Sequence, residues 1–278
     1  MIIELFGPPA AGKTTFARAL AARLRERGHT VDLILSQRPA EGSPREIRSA
    51  TDLVTPRISP MIRRLTRPFA EILTMARHPF TITHDVGMAL NLIKILPPSN
   101  ALWLLRLAQY VSRLSRAWFQ ASNAGHIVLF DQAFVQAVCS LVLLSGVVDE
   151  LLISNALDAI PKSDLLVRLD APTEILKARL RDRQRLESRL ERLLELDSAT
   201  SLRSLAIVDC LHELLRRGDR QIMNAASLDQ HSLNEAVERI EKQITALFNM
   251  EQRAAARRNQ ACSGSIRVDQ TLKRRTAS

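Results

Sequence analysis

The sequence predicts a three-layer α/β fold in which helices cover both faces of a five-stranded parallel sheet. Short apolar runs of strand length alternate with longer segments whose apolar residues recur at helical spacing. The run at 126–130, H-I-V-L-F, is almost continuously apolar, which is typical of a strand buried on both faces of a parallel sheet. The predicted strands cover residues 2–6, 31–35, 126–130, 165–169 and 220–224.

The first strand leads directly into a loop that matches the phosphate-binding pattern G-x-x-x-x-G-K-[ST]. Its glycines let the backbone wrap closely, successive N–H groups point at phosphate oxygens, and the next helix presents its positive end. We expect Lys13 to reach the β- and γ-phosphates of ATP and the Thr14 hydroxyl to bind Mg²⁺. The predicted nucleotide-binding residues are Gly7, Pro8, Pro9, Ala10, Ala11, Gly12, Lys13, Thr14 and Thr15.

The surroundings of this loop argue against a chance match. The motif requires a strand before it and a helix after it, and Phe16, Leu20 and Leu24 continue the chain at helical spacing. We therefore predict a phosphate-loop NTPase fold with strand order 2-3-1-4-5 and a helical insertion between strands 2 and 3.

The chain length of 278 residues fits one domain of this kind with an added tail. We expect residues 1–249 to form the domain, with residues 43–125 as a helical insertion around an acceptor site and residues 173–197 as an arginine-rich lid. Residues 250–278 are basic and lack sustained periodicity, so we expect them to be disordered.

Composition argues against several classes of protein. No uninterrupted apolar stretch approaches the roughly 18 residues that a membrane-spanning helix needs. The three cysteines have no paired spacing, which indicates neither a disulfide framework nor a zinc site. The predicted first strand begins at residue 2 and leaves no room for a signal peptide, so we expect a cytoplasmic protein.

Much of the formal charge of +10 lies in two segments. Residues 45–116 hold eleven Arg or Lys against four acids, and residues 250–278 hold seven against two. Such segments suit an anionic small substrate, while nucleic-acid binding stays open without being favoured.

Asp131 follows the run at 126–130 and is therefore expected at the carboxyl edge of the sheet, within reach of Thr14. An acid at this position of a phosphate-loop protein holds Mg²⁺ or accepts the proton of an attacking hydroxyl. Gln132 stands where hydrolytic ATPases often carry an extra carboxylate, which favours transfer to a bound acceptor over hydrolysis. Candidates for binding that acceptor are Arg38, at the end of strand 2, and Arg57, Arg63 and Arg64, in the insertion.

Six arginines lie between positions 179 and 192. Arg179 and Arg183 share a helical face with Leu176 and Leu190, and a charge on an apolar face is costly unless it meets a partner. Polyphosphate is such a partner, so we expect these arginines to cover the nucleotide as a lid.

Beyond the phosphate loop, four stretches resemble segments of the thymidylate kinase-like and deoxynucleoside kinase-like small-molecule kinases. Residues 36–42, S-Q-R-P-A-E-G, resemble the thymidylate kinase stretch R-E-P-G-G, with Arg38 in place of its acid. Residues 130–132, F-D-Q, resemble D-R-[YF], with Gln132 in place of the arginine that helps bind the substrate. Residues 169–174 and the arginines after them are similar to the run L-D-x-x-P-E, R-x-x-x-R-G-R and R-x-E. Residues 222–227, I-M-N-A-A-S, resemble the I-D-A-S loop near the adenine.

This resemblance covers residues 1–42 and 126–248 and implies ATP-dependent phosphoryl transfer. It implies roles for Arg179 and Arg183 at the phosphates, for Arg185 near the substrate and for Ala226 beside the adenine. Both substrate-reading stretches depart from the family pattern, so the resemblance does not extend to thymidylate as the acceptor.

We expect an ATP- and Mg²⁺-dependent kinase of a small hydroxyl- or phosphate-bearing metabolite, with Lys13, Asp131, Arg179 and Arg183 as catalytic residues. One alternative is a nucleotide-dependent binding or regulatory protein without a small-molecule acceptor. Another is a nucleic-acid 5′-end kinase. The sequence also leaves a homodimer open.

Overall fold

The computed structural model describes residues 1–36, 79–99, 101–186, 198–226 and 228–275. Five strands form one parallel sheet in the order β2-β3-β1-β4-β5, which confirms the predicted topology. The strands are β1 (Ile2–Phe6), β2 (Val31–Ile34), β3 (Ile127–Phe130), β4 (Leu165–Asp170) and β5 (Ile222–Ala226).

Helices on both faces of the sheet complete the three layers. In the described ranges they are α1 (Lys13–Glu26), α2 (Pro79–Ile95), α3 (Ala101–Ser122), α4 (Phe134–Ser145), α5 (Glu150–Asp158), α6 (Thr173–Leu186), α7 (Ser198–Arg217) and α8 (Gln230–Arg275). None of these helices combines the length and the apolar content that crossing a membrane requires.

β1 lies at the centre of the sheet, and its side chains alternate between two cores. Ile3 pairs with Leu129 of β3 on one side and with Leu165 of β4 on the other. Ile3 and Leu5 face a core formed with α1 and α8, whereas Phe6 faces a core formed with α2, α3, α4, α5 and α7. A strand covered on both faces must be largely apolar, which explains the apolar runs in the sequence.

Some predicted boundaries differ from the structure. Apolar residues at helical spacing predict a helix over about 84–96, but α2 already begins at Pro79. β5 covers Ile222–Ala226 instead of 220–224. The same spacing predicts a helix near 60–77, which lies outside the described residues.

Residues 250–278 were expected to be disordered, and the structure describes residues 250–275 as part of its last helix, α8. Apolar periodicity predicts a last helix over about 231–248, whereas α8 runs from Gln230 to Arg275. The segment after residue 250 contains no proline, and its first part is rich in Ala, Arg and Gln, which are good helix formers. These residue types favour a helix even where apolar periodicity is absent, which is consistent with the continuation of α8 beyond residue 250.

Glu4 is a buried acid on the central strand. Its side chain lies among the helices on the Phe6 face, is 1% exposed, and accepts a hydrogen bond from the Val135 N–H at 2.6 Å through Oε1. Burial raises the pKa of Glu4 from its ordinary value of 4.5 to about 8, against the opposing effects of the Val135 hydrogen bond and the Arg220 charge. Glu4 is therefore mostly neutral at pH 7.

Glu4→Gln keeps the side chain's shape and removes its titration. Because the folded-state pKa of about 8 lies above the ordinary 4.5, the wild-type free energy of unfolding should fall as the pH rises between these values. The slope due to Glu4 is up to about 1.4 kcal/mol per pH unit. We expect the variant to lack this slope in urea unfolding measured from about pH 5 to about pH 8.

Glu174→Gln, which alters an exposed carboxyl at the start of α6, is the matched control and should keep the wild-type profile. If the profiles of Glu4→Gln and the wild type coincide, the neutral buried state of Glu4 is refuted.

Candidate functional site

The phosphate loop leaves the start of α1 open to an anion. The residue before α1 is Gly12, in the left-handed conformation with φ 88°, and no side chain among the described residues caps the helix. Ala10 also has a positive φ of 63°. The first turn of α1 contains no acid, so its N–H groups and positive dipole end face the space that the loop surrounds.

Gly7 fixes the loop against the sheet. It has φ 149°, and a Cβ atom at this position would lie 2.2 Å from the Leu169 carbonyl oxygen of β4. Glycine is therefore required here both by the backbone conformation and by the close approach of β4. The loop begins directly against the carboxyl end of a neighbouring strand.

Lys13 lies across the loop that precedes it. Its Nζ donates hydrogen bonds to the carbonyl oxygens of Gly7 at 2.8 Å and Pro8 at 2.9 Å, and the residue is 6% exposed. The ammonium group is thus held at the mouth of the loop, where phosphate oxygens can replace carbonyl oxygens as its acceptors.

The Asp131 carboxylate joins three parts of the chain. It lies at the carboxyl end of β3, is fully buried, and accepts a hydrogen bond from the Thr14 hydroxyl of α1 at 2.8 Å through Oδ2. Ser36, just after β2, donates its N–H to Oδ1 at 2.6 Å and its hydroxyl to Oδ2 at 3.2 Å. The two residues that the sequence predicted to bind the metal are therefore in direct contact.

This pair fits Mg²⁺ bound together with a nucleotide. Such an ion takes one or two protein oxygens and completes its octahedron with phosphate and water. Thr14 and Asp131 offer a hydroxyl and a carboxylate oxygen beside the phosphate loop. Over the described ranges no cluster of three or more His, Cys, Asp or Glu side chains forms a metal site of another kind.

The start of α4 contacts both the first residue of the phosphate loop and the strand that precedes it. Gln136 Oε1 accepts a hydrogen bond from the Gly7 N–H at 3.4 Å, and Val135 N–H donates to Glu4. Sequence reasoning missed Ser36 and Gln136 as site residues. The only signal for Ser36 was a hydroxyl residue at the end of a predicted strand.

Arg179 connects the phosphate loop to the loop after β5. Its guanidinium donates to the Ala10 carbonyl oxygen at 3.4 Å and to the Leu228 carbonyl oxygen at 3.0 Å. Ala226 ends β5 next to this second loop. The structure thus brings Arg179 to the phosphate loop and near the segment expected to face adenine.

Other predicted residues do not take part in the described geometry. The backbone of Arg183 and Arg185 lies in α6, but their side chains fall outside the described part of the structure. Arg38, Arg57, Arg63 and Arg64 lie outside the described residues altogether.

No family model matches the chain, and no curated protein matches it. Among solved structures, it is similar to deoxyadenosine kinase from M. mycoides in three complexes. The complex with the products dCMP and a flexible dCDP is 14% identical with a TM-score of 0.48. The dATP complex is 15% identical with a TM-score of 0.43, and the dCTP complex is 14% identical with a TM-score of 0.42. Each similarity covers 88% of this chain and 100% of the other.

Gly7→Ala is expected to destabilise the protein strongly, because a methyl group would meet a backbone oxygen that has no room to move away. Gly28→Ala is the matched control, since Gly28 also has a positive φ, of 85°, but has nothing within 4 Å of the added Cβ. We expect a loss of about 1–2 kcal/mol for Gly28→Ala from backbone strain. The loss for Gly7→Ala should be clearly larger, as urea unfolding would show. Equal losses for the two variants would contradict the close contact with β4.

Proposed function

We propose that this protein is an ATP- and Mg²⁺-dependent kinase that transfers a phosphoryl group to a small hydroxyl- or phosphate-bearing acceptor. The contact between the Thr14 hydroxyl and the buried Asp131 carboxylate, at 2.8 Å beside the phosphate loop, is the observation that carries this proposal. It supports the proposal because a carboxyl group beside the phosphate loop can hold Mg²⁺ or accept the proton of an attacking hydroxyl.

Phosphoryl transfer depends mainly on positioning and on neutralising charge. In this proposal the first turn of α1 binds phosphate oxygens, and Lys13 neutralises charge at the β- and γ-phosphates. Mg²⁺ would be held by Thr14 and Asp131 and would supply further positive charge to the phosphate oxygens. Ser36 keeps the Asp131 carboxylate in a fixed orientation through two hydrogen bonds.

The donor and acceptor lie on opposite sides of the transferred group. In-line attack places the acceptor hydroxyl beyond the γ-phosphate, on the side of β2, β3 and the segment that joins them. We assign residues 43–125 to the acceptor side, with Arg38, Arg57, Arg63, Arg64 and Arg185 as its candidate ligands. Residues 173–197 serve as the lid over the nucleotide, with Arg179 and Arg183 directed at its phosphates.

The first test is a screen for ATP consumption with Mg²⁺ and single acceptors. The panel contains 2′-deoxyadenosine, thymidine monophosphate, D-glucose and kanamycin, which represent nucleosides, nucleotides, sugars and aminoglycosides. We expect steady ADP formation with at least one compound and little without any. ATP binding without turnover on the whole panel would instead favour a nucleotide-dependent binding protein.

Asp131→Asn keeps the size of the side chain and removes its charge, so transfer should be abolished while ATP binding, measured by calorimetry, persists. Asp32→Asn is the matched control, because Asp32 is an exposed carboxylate on β2. We expect Asp32→Asn to transfer the phosphoryl group at the wild-type rate.

Lys13→Ala should remain folded and lose ATP affinity. Unchanged ATP binding by Lys13→Ala would contradict the nucleotide site, and normal turnover by Asp131→Asn would contradict the role of Asp131.

Arg179→Ala is expected to lower kcat on the order of 10²-fold and to weaken ATP binding less, because charge that develops in the transition state needs a fixed cation. Arg181→Ala, on the exposed side of the same helix, provides the comparison. The measurement is steady-state kinetics with the best panel acceptor. A kcat for Arg179→Ala equal to that of Arg181→Ala would mean that Arg179 has only a structural role.

A further inference from the structure

Gly7, the first residue of the phosphate loop, contacts three different parts of the chain. Its N–H donates to Gln136 Oε1 of α4 at 3.4 Å, and its carbonyl oxygen accepts a hydrogen bond from Lys13 Nζ at 2.8 Å. Its Cα lies against the Leu169 carbonyl oxygen of β4, which leaves no space for a Cβ. A shift of Gly7 would therefore also move an acceptor of the Lys13 ammonium group.

Two prolines, Pro8 and Pro9, follow Gly7 and stiffen the loop. The proline ring fixes φ, and proline has no backbone N–H. The N–H groups of this loop that can meet phosphate oxygens therefore begin at Ala10, after two stiff residues. Their position depends on where Gly7 is placed.

Glu4 of β1 holds the first turn of α4, which contains Gln136. The residue before α4 is Ala133, which has no side-chain acceptor, and no acid lies in the first turn of the helix. The buried Glu4 carboxyl accepts a hydrogen bond from the Val135 N–H of this turn at 2.6 Å. An acceptor at the start of a helix usually comes from the residue just before it, whereas here it comes from the central strand.

The two contacts join β1 and the phosphate loop to the same helical turn. Glu4 accepts a hydrogen bond from α4, and Gly7, three residues later, donates one to it. We propose that Gln136, anchored through Glu4, is a positioning residue that holds the phosphate loop in its phosphate-binding conformation before a ligand arrives. This inference rests on the nucleotide site of the function proposed above.

A preset loop has a measurable consequence. The apparent affinity for a ligand falls in proportion to the fraction of molecules that are competent to bind it. Loss of the contact between Gln136 and Gly7 should lower this fraction and weaken the binding of any polyphosphate. It should do so whether or not an acceptor is present.

Gln136→Leu removes the amide from a half-buried side chain and keeps a good helix former, so the variant should fold. We expect the Kd for inorganic tripolyphosphate and for ATP, measured by calorimetry, to rise about fivefold, a typical worth of one hydrogen bond. Tripolyphosphate has no base or sugar and therefore reports on the phosphate loop alone. Urea unfolding of the same variant checks that the protein stays folded.

Ser140→Ala is the matched control. Ser140 lies one turn further along α4, and its Oγ donates to the Gln136 backbone carbonyl oxygen at 3.0 Å. The substitution removes a side-chain hydrogen bond from the same helix without touching the contact with Gly7. We expect Ser140→Ala to bind tripolyphosphate with the wild-type Kd.

Two substitutions of Glu4 test the anchor. Glu4→Gln keeps an oxygen that can accept from the Val135 N–H, and at pH 7 it should bind tripolyphosphate like the wild type. Glu4→Leu removes the acceptor and should weaken binding about as much as Gln136→Leu. Because both changes act through the same contact with Gly7, the double variant should be no weaker than Gln136→Leu alone.

Each outcome decides a different point. A Kd for tripolyphosphate that is equal in Gln136→Leu and the wild type overturns the inference and leaves the kinase proposal standing. Equal losses in Gln136→Leu and Ser140→Ala also overturn it, because they would assign the effect to α4 as a whole. If the wild type binds ATP but transfers no phosphoryl group, the proposed function fails while the binding comparison still decides the role of Gln136. If the wild type binds neither ATP nor tripolyphosphate, both proposals are overturned.

Discussion

The candidate site depends on one buried carboxylate. Removing a carboxylate from water is costly unless hydrogen bonds replace those to water. Asp131 meets this requirement with donors from Thr14 on α1 and from Ser36 after β2. The hydrogen bonds that make burial of Asp131 tolerable are therefore the same ones that hold the phosphate loop, β3 and the end of β2 together at one edge of the sheet.

Two buried acids, Glu4 on β1 and Asp131 just after β3, have different surroundings. The Glu4 carboxyl meets backbone N–H groups at the start of α4, yet burial outweighs them and keeps it mostly neutral. Asp131 lies at the strand end, where side-chain hydroxyls and a further backbone N–H converge on both of its oxygens. Glu4 thus links β1 to the start of α4, whereas Asp131 links α1 and the segment after β2 to the end of β3.

The sequence predicted the sheet, and the strand and helix that flank the loop at 7–12, well because both depend on local patterns. Apolar runs indicate strands that are covered on both faces. The pattern G-x-x-x-x-G-K-[ST] requires a strand before it and a helix after it. Ser36 and Gln136 could not be identified in this way. Each carries an ordinary residue type, and its role depends on which distant segment folds against it. The length of α8 was missed because the sequence after residue 250 shows no apolar periodicity, although its Ala, Arg and Gln residues favour a helix.

The order of strands also has a consequence for how the chain folds. β1 comes first in the sequence, yet Ile3 pairs only with Leu129 and Leu165, and β2 is paired with β3. The first two strands thus have no partner in the sheet until much more of the chain has left the ribosome. Contacts so distant in sequence are slow to form. A nascent chain that stops before β4 would carry the whole G-x-x-x-x-G-K-[ST] motif without the strand against which Gly7 is seated, so this loop should reach its folded conformation late in synthesis, once the sheet is nearly complete.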